Sequence, residues 1–224
     1  MAAKKSTKKK QAKNPPASAE QVADMYWDYV LTKGHEPASV YAFCKYAELT
    51  EGDFYQHHSS FSALESRYWE SLVRETINVL EADDDYAEYD IQQKLLAFYF
   101  TFFTHVQRHR SRLVECFPCM RDLKPDSLRA MRQTFTSWAD ELMQEGLASG
   151  QIADRKKLNE LYAKGLFEQL RFLIDYYRKD TSDGFQDTDA LIEKSVRFFA
   201  DSASSGVLDS ALDLARFMMR RLQP

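Results

Sequence analysis

The residues best suited to redox or metal chemistry are Cys116 and Cys119, separated by Phe117 and Pro118. Two cysteines at this spacing can form a redox-active dithiol or supply half of a four-ligand zinc site. A zinc site would need a second pair, and the only other cysteine is Cys44. A thioredoxin-like dithiol would need a preceding strand, which the sequence does not predict. We therefore expect no metal site, no redox centre and no cofactor.

Two adjacent histidines, His57 and His58, are the other candidates for metal binding. We interpret them as the end and the surface of a helix rather than as ligands. The sequence also shows no legible Ser-His-Asp set and no glycine-rich phosphate loop. An enzyme is therefore not expected.

The composition favours helices. Of 224 residues 44% are hydrophobic, enough for a full core, while 7 Gly and 6 Pro are too few for the many turns of a β-sandwich or barrel. Apolar residues recur at helical spacing along the chain. The sequence predicts an all-α protein of about nine or ten helices.

Charge is distributed unevenly along the chain. Six lysines precede the first acidic residue, Glu20, and the remainder carries 24 basic and 34 acidic residues. We expect residues 1–18 to be a disordered Lys-rich segment, because they contain almost no large apolar side chain. No apolar signal core is present, and the longest apolar stretch, 95–103, is too short to span a bilayer. A cytoplasmic protein without a membrane span is expected.

Capping residues and glycines predict where the helices begin and end. A first helix runs from Ser18 to Gly34, and Ser39 and Thr50 precede two short helices. Ser62 with Glu65 has capping-box spacing. Further helices are predicted after Asp90 and at about 110–117, 125–149, 155–178, 188–203 and 207–222.

The segment 39–57, SVYAFCKYAELTEGDFYQH, resembles the helix-turn-helix of the TetR family without a gap. Phe43-Cys44 lies at the apolar-small pair of the second helix, and Phe54-Tyr55 matches the Leu-Tyr pair of the recognition helix. The resemblance implies a helix-turn-helix domain at 19–69 and a C-terminal domain at 70–224 that binds a ligand and dimerises. It also implies DNA-binding positions at Ser39, Thr50, Gly52, Tyr55, Gln56 and His57.

Several positions depart from the family pattern. Glu48 stands where members commonly have Gly, and Glu51 and Asp53 place two carboxylates at the start of the recognition helix. His58 replaces an aromatic residue and Phe61 replaces a phosphate-contacting Lys. Carboxylates near phosphate oppose binding, so loss of DNA binding remains an alternative to an operator-binding head.

The C-terminal domain has candidate surfaces for two further functions. Aromatic residues on the central helix and a neighbour could line an apolar cavity, or simply pack a core: Phe98, Tyr99, Phe102, His105 and Trp138. A helix that is apolar on more than one face, with the final helix, predicts a dimer interface. Its residues are Leu166, Leu170, Leu173, Tyr177, Leu212, Ala215 and Met219.

The sequence thus predicts a TetR-like regulator that binds a pseudo-palindromic operator as a homodimer, under the control of a small apolar ligand. The alternative is a protein of the same fold that no longer binds DNA. In that case it would act as a lipid-binding or enzyme-accessory protein, like the TetR-fold proteins of ubiquinone biosynthesis.

Overall fold

The computed structural model describes residues 17–118, 128–155 and 159–204. Within these ranges the chain forms nine α-helices and no strand, which confirms the all-α prediction. The helices are α1 (Ala19–Lys33), α2 (Val40–Tyr46), α3 (Glu51–Tyr55), α4 (Phe61–Glu81), α5 (Ile91–Gln107), α6 (Arg110–Cys116), α7 (Arg129–Ala148), α8 (Asn159–Tyr177) and α9 (Gln186–Ser204). Two short 3₁₀ segments lie at Asp84–Glu88 and Asp183–Phe185.

The chain divides into two compact units, one ending at Phe61 and the other beginning at Ser62. We call them the N-terminal unit and the C-terminal unit. The boundary predicted at residue 69 falls inside α4, and as a functional boundary it stays a prediction. Residues 1–16 of the predicted Lys-rich segment lie outside the described residues, as does the predicted helix 207–222, which carries Leu212, Ala215 and Met219.

The N-terminal unit begins with a capping box. Ser18 accepts a hydrogen bond from the Gln21 amide, the Gln21 side chain accepts one from the Ser18 amide, and Gly34 ends α1 in the left-handed conformation at φ 73°. Ser39 caps α2 and Thr50 caps α3, as predicted. α4 begins at Phe61, two residues before the start that a cap at Ser62 predicts, so Ser62 lies within the helix rather than at its cap.

Aromatic side chains hold the three short helices together. The Phe43 ring lies 6.0 Å from those of Tyr26 and Phe54 and 5.8 Å from that of Phe61, centroid to centroid. Tyr26, Phe43 and Phe54 are fully buried. Edge-to-face ring pairs of this kind add about 0.5–1.5 kcal/mol each to the burial of apolar area. Phe61, which departs from the family pattern, therefore belongs to this core.

The C-terminal unit is built from longer helices. α5 packs against α7 and α9, and α8 packs between α7 and α9. Gly146 lets α7 approach other segments closely, because a Cβ there would lie 2.7 Å from Ile152 Cδ1 and 3.0 Å from Ile91 Cγ1. The buried ammonium of Lys94 pairs with Glu145 at 2.5 Å, which links α5 to α7.

The end of α8 is joined to the start of α9 by Asp180, a carboxylate only 7% exposed. Its Oδ1 accepts hydrogen bonds from the Ser182 amide and hydroxyl, at 2.8 and 2.7 Å. Its Oδ2 accepts from the amide and hydroxyl of Thr188, at 2.9 and 2.5 Å. Burial raises the pKa of Asp180, but these hydrogen bonds outweigh it and lower the pKa to about 2.

Candidate functional site

The turn between α2 and α3 has the geometry of a helix-turn-helix. Glu48 follows the C-cap of α2 with φ 56°, in the left-handed region that favours glycine, and the Leu49 amide donates to the Cys44 carbonyl at 2.8 Å. This is the bonding pattern with which helices close on a left-handed residue. The chain thus makes the expected turn with Glu where the family commonly has Gly, at a cost in backbone strain.

Thr50 and Asp53 form a reciprocal cap at the start of α3. The Asp53 amide donates to Thr50 Oγ1 at 3.2 Å, and the Thr50 amide donates to Asp53 Oδ2 at 2.9 Å. The Thr50 hydroxyl donates its own hydrogen bond to the same carboxylate at 2.6 Å. A hydroxyl has one proton to donate, so Thr50 can donate to a phosphate only after it leaves Asp53.

The other predicted DNA-facing residues differ in availability. Ser39 accepts from the Ala42 amide at 3.1 Å and keeps its hydroxyl proton for another acceptor. Tyr55 is 53% exposed, and Gln56 is exposed at the end of α3. A Cβ on Gly52 would make only one ordinary contact, 3.5 Å from Thr50 Oγ1, so α3 does not require glycine there.

His57 and His58 have a role that sequence reasoning missed. His57 Nε2 lies 2.9 Å from the Ala17 carbonyl oxygen and His58 Nε2 lies 3.3 Å from that of Ala19. The predicted DNA-facing His57 is therefore half-buried and tied to the entry of α1. The two segments are about 40 positions apart, so no local pattern could reveal the contact. It places Ala17, near the C-terminal end of the Lys-rich segment, beside the end of α3.

The described N-terminal unit is acidic. Between residues 17 and 61 the chain has seven carboxylates and two lysines, a net charge of −5 with histidines neutral. Glu51 and Asp53 lie in the first turn of α3, where the helix dipole favours them. Burial and these two carboxylates raise the pKa of the Cys44 thiol. The same field repels phosphate.

The predicted ligand-binding aromatics pack on each other in the C-terminal unit. Phe98 stacks on Trp138 at 4.4 Å, centroid to centroid, and lies 6.1 Å from Phe102 and 5.2 Å from Phe135. Phe98, Tyr99 and Phe102 are fully buried and Trp138 is 8% exposed. As they stand, these rings form a packed core, and a ligand among them would have to separate them.

The polar groups beside this core are engaged within the chain. The Tyr99 hydroxyl donates to the Leu166 carbonyl at 3.3 Å, and burial raises the pKa of Tyr99 well above its ordinary value. His105 is half-buried, with Nδ1 3.5 Å from the Thr76 hydroxyl. That hydroxyl itself donates to the Leu72 carbonyl at 2.7 Å. His105 is thus the predicted pocket residue with most freedom to meet a ligand.

The predicted dimer residues on α8 face the chain's own core. Leu166, Leu170 and Leu173 are fully buried and Tyr177 is 2% exposed within the single chain. The reason is that α7 and α9 pack against α8, and Tyr99 and Phe103 of α5 also contact it. A different stripe is open: Leu161 is 53%, Phe172 50% and Tyr176 39% exposed, and Gly165 between them has open space around its Cβ position. Phe198 on α9 is 74% exposed.

Cys116 is unsuited to redox chemistry. Burial, followed by the nearby carboxylates of Glu65 and Glu115, raises the pKa of its thiol to about 11. A thiol is a nucleophile only when ionised, and this one stays protonated at neutral pH. Cys119, the second member of the spacing, lies outside the described residues. In the ranges that the structure describes, no three His, Cys, Asp or Glu side chains cluster as metal ligands would.

Comparison with protein families matches residues 94–218 to the tetracyclin repressor-like C-terminal domain. This is more than half of the chain, and the protein therefore belongs to the TetR family of transcriptional regulators. Comparison with curated proteins gave no match. None of the helices in the described ranges is long and apolar enough to cross a membrane.

Two solved structures share the fold. The fatty acid degradation regulator FadR from Bacillus halodurans has 17% identity and a TM-score of 0.60, covering 88% of this chain and 98% of its own. A TetR family transcription regulator from Shewanella sp. PV-4 has 15% identity and a TM-score of 0.53, covering 80% and 98%. The family and both neighbours are regulators rather than enzymes.

Proposed function

We propose that this protein is a transcriptional regulator that binds operator DNA as a two-fold dimer. The observation that carries the proposal is the helix-turn-helix of the N-terminal unit, in which Phe54 anchors α3 in the core while Tyr55 and Gln56 stay exposed. Ser39, at the start of α2, retains a hydroxyl proton that can reach a phosphate oxygen. Two such heads in a dimer would read two half-sites.

The basic side chains that contact DNA phosphates would come from outside α3. The N-terminal unit is acidic, whereas the six lysines of the Lys-rich segment precede Ala17, whose carbonyl contacts His57 just after α3. A basic arm of this kind can add phosphate or minor-groove contacts that a recognition helix lacks. We therefore expect affinity to depend on the Lys-rich segment more than on α3.

The test is binding of the full chain to duplex fragments from its own upstream region, followed by fluorescence anisotropy across a salt series. Sequence-specific binding that weakens steeply with salt supports the proposal. Deleting residues 2–13 should flatten the slope of log affinity against log salt. An unchanged slope and affinity would show that the lysines make no contribution to DNA binding.

Changing the two acidic residues of α3 one at a time tests DNA binding and folding separately. Glu51→Lys should raise non-specific affinity and steepen its salt dependence, because a repulsive group becomes an attractive one. Asp53→Thr should instead lower stability by about 1 kcal/mol, because it breaks the reciprocal cap with Thr50. Loss of sequence-specific binding in Glu51→Lys would mean that Glu51 reads a base, for instance a cytosine amino group.

The dimer interface that we propose is the open stripe on α8 with Phe198 of α9. Leu161, Gly165 and Phe172 are spaced by helical turns, and an open glycine lets a second helix approach closely. Phe172→Arg should yield a monomer by light scattering at micromolar concentration, while Lys179→Ala, another exposed position just after α8, should leave the dimer intact. A stable monomer of the unaltered chain would remove this part of the proposal.

A small apolar ligand is the effector that we propose, held where the rings around Phe98 can separate and His105 can offer a polar contact. FadR regulates fatty acid degradation, but at 17% identity it shares only the fold with this chain. Long-chain fatty acids make suitable first probes. Quenching of tryptophan fluorescence that saturates, and is lost in Trp138→Phe, would place the ligand beside Trp138 in this core.

The second candidate is a lipid-binding or enzyme-accessory protein that has abandoned DNA, and the acidic N-terminal unit favours it. The two candidates differ in one observable. If the chain binds lipid but no duplex from its upstream region at low salt, in unaltered form or as Glu51→Lys, the accessory role is the better account. Binding of operator DNA that responds to the ligand supports the regulator.

A further inference from the structure

A groove of about 490 Å³ lies on the N-terminal unit between α1 and the end of α2. Its lining is Asp24, Met25, Asp28, Tyr46, Ala47 and Glu48. Three of the six side chains are carboxylates, and Asp24 and Asp28 lie one turn apart on the same side of α1. The groove thus combines negative charge with an exposed thioether and an exposed aromatic ring.

One lysine of this chain already contacts a residue that lines the groove. Lys33, in the last turn of α1, holds its ammonium 5.4 Å from the ring centroid of Tyr46. A lysine over an aromatic face is a cation–π contact. The wall of the groove therefore has the chemistry to bind lysine side chains, in addition to the charge of its carboxylates.

Charge complementarity and reach identify an occupant within the same chain. The described N-terminal unit carries a net charge of −5, and Lys4, Lys5, Lys8, Lys9, Lys10 and Lys13 precede it with no acidic residue among them. Asp24 and Asp28 lie about 10 and 16 Å along α1 from Ala17, at 1.5 Å per residue. A chain running back at about 3.3 Å per residue brings Lys13 to Asp24 and the lysines at 8–10 past Asp28.

We propose that the Lys-rich segment folds back and docks in this groove, so that its lysines are held by Asp24, Asp28, Glu48 and the Tyr46 ring. The inference goes beyond the proposed function, and the docking itself does not depend on it. Where DNA does bind, phosphates compete with the groove for the same lysines. The docked segment then restrains non-specific binding, because a lysine held in the groove must leave its carboxylate before it reaches a phosphate.

The first experiment uses the full chain without DNA and a zero-length carbodiimide cross-linker, which joins a lysine amine directly to a carboxylate. Peptide mapping should find the lysines at 8–13 joined mainly to Asp24, Asp28 and Glu48, with Glu36 and Glu51 of the same unit as internal controls. Mixing with isotope-labelled chain separates links within one chain from links between copies. Equal coupling to all the exposed carboxylates, or coupling mostly between copies, overturns the proposal.

A second measurement leaves the groove unaltered, in case groove variants fold poorly. Changing all six lysines to Gln should shift the amide resonances of Met25, Asp28 and Glu48, and 0.5 M salt should cause similar shifts in the unaltered chain. The same spectra should stay constant at Tyr41, an exposed residue that does not line the groove. Absence of shifts at the groove in both comparisons also overturns the proposal.

The third arm adds non-specific duplex DNA. It should suppress the cross-links to Asp24, Asp28 and Glu48, and neutralising those three residues as Asn, Asn and Gln should raise DNA affinity severalfold at low salt, with circular dichroism confirming the fold. If the cross-links form without DNA and persist when DNA is added, the docking stands but the competition between groove and phosphates is wrong. If no DNA binds while the cross-links form, the docking stands and the proposed DNA-binding function fails.

Discussion

The two units of the chain use buried aromatic residues in different ways. In the N-terminal unit a few rings around Phe43 join short helices, and the capping and turn residues that define the motif remain at the surface. In the C-terminal unit the rings around Phe98 and Phe135 fill the space between long helices. Local sequence therefore predicts the N-terminal unit well, because its caps and turn depend on neighbours along the chain. In the C-terminal unit, contacts between helices decide which helix faces are buried.

The largest expected effect contrasts the two cores. Phe43→Ala and Phe135→Ala each remove a fully buried ring and should each cost about 3–5 kcal/mol. A small unit has little other burial to offset the loss, so Phe43→Ala should unfold α1–α3 while the C-terminal unit persists. Hydrogen exchange followed by mass spectrometry would show rapid exchange confined to residues 19–60. Phe135→Ala should instead raise exchange in α5, α7 and α8.

A control keeps this comparison interpretable. Tyr41→Ala alters an aromatic residue of α2 that is 64% exposed, and it should change stability by less than about 0.5 kcal/mol. If Phe43→Ala raises exchange equally in both units, the two units unfold together, and the contrast between them is one of architecture only.

Replacing Asp180 tests the hydrogen bonds that link the end of α8 to the start of α9 in the C-terminal unit. Asp180→Asn should cost about 2 kcal/mol, because an amide cannot accept all the hydrogen bonds from Ser182 and Thr188. The folded pKa of about 2 lies below the unfolded value of about 3.9. The contribution is therefore complete above the unfolded pKa and is lost as pH falls from about 4 to 2.

Denaturant unfolding across this pH range measures the effect. The difference in unfolding free energy between the unaltered chain and Asp180→Asn should shrink as the pH falls. Asp183→Asn, at an exposed position three residues on, serves as the control and should change little. A difference between Asp180→Asn and the unaltered chain that is independent of pH would assign the loss to packing rather than to charge.

Gly146 tests close packing in the C-terminal unit. Gly146→Ala gains helix propensity of about 1 kcal/mol but forces the new Cβ to 2.7 Å from Ile152 Cδ1. Overpacking of this kind costs about 1–3 kcal/mol, so we expect a net loss of about 1 kcal/mol in thermal unfolding. Adding Ile152→Val removes that methyl group and should recover part of the loss. No recovery in the double variant would mean that the remaining close contacts, with Ile152 Cγ1 at 2.8 Å and Ile91 Cγ1 at 3.0 Å, cause the loss.

Replacing Glu48 should have an effect of similar size to the Gly146 change but of the opposite sign. Glu48→Gly should raise stability by about 1 kcal/mol, since Gly adopts φ 56° without the Cβ penalty. Glu48→Ala is the matched control, because it removes the charge and keeps the strain. If both variants have equal melting temperatures, the strain is negligible and the charge alone distinguishes this turn from the family pattern.

Helix content, the caps at Ser39, Thr50 and Asp90, and the motif at 39–57 were predictable from the sequence, and the structure and the family match confirm the fold that they imply. These features arise from periodicity and from hydrogen bonds between residues three or four positions apart, which a linear pattern records. Tertiary structure alone decided which side of α8 is buried, that the aromatics on α5 fill a packed core, and that His57 contacts Ala17. The contacts of His57 and of the α5 aromatics involve partners about 40 or more positions away. The buried side of α8 depends on which of its two apolar faces a neighbouring helix covers. Composition and spacing are the same for either face, so only the packing of the helices distinguishes them.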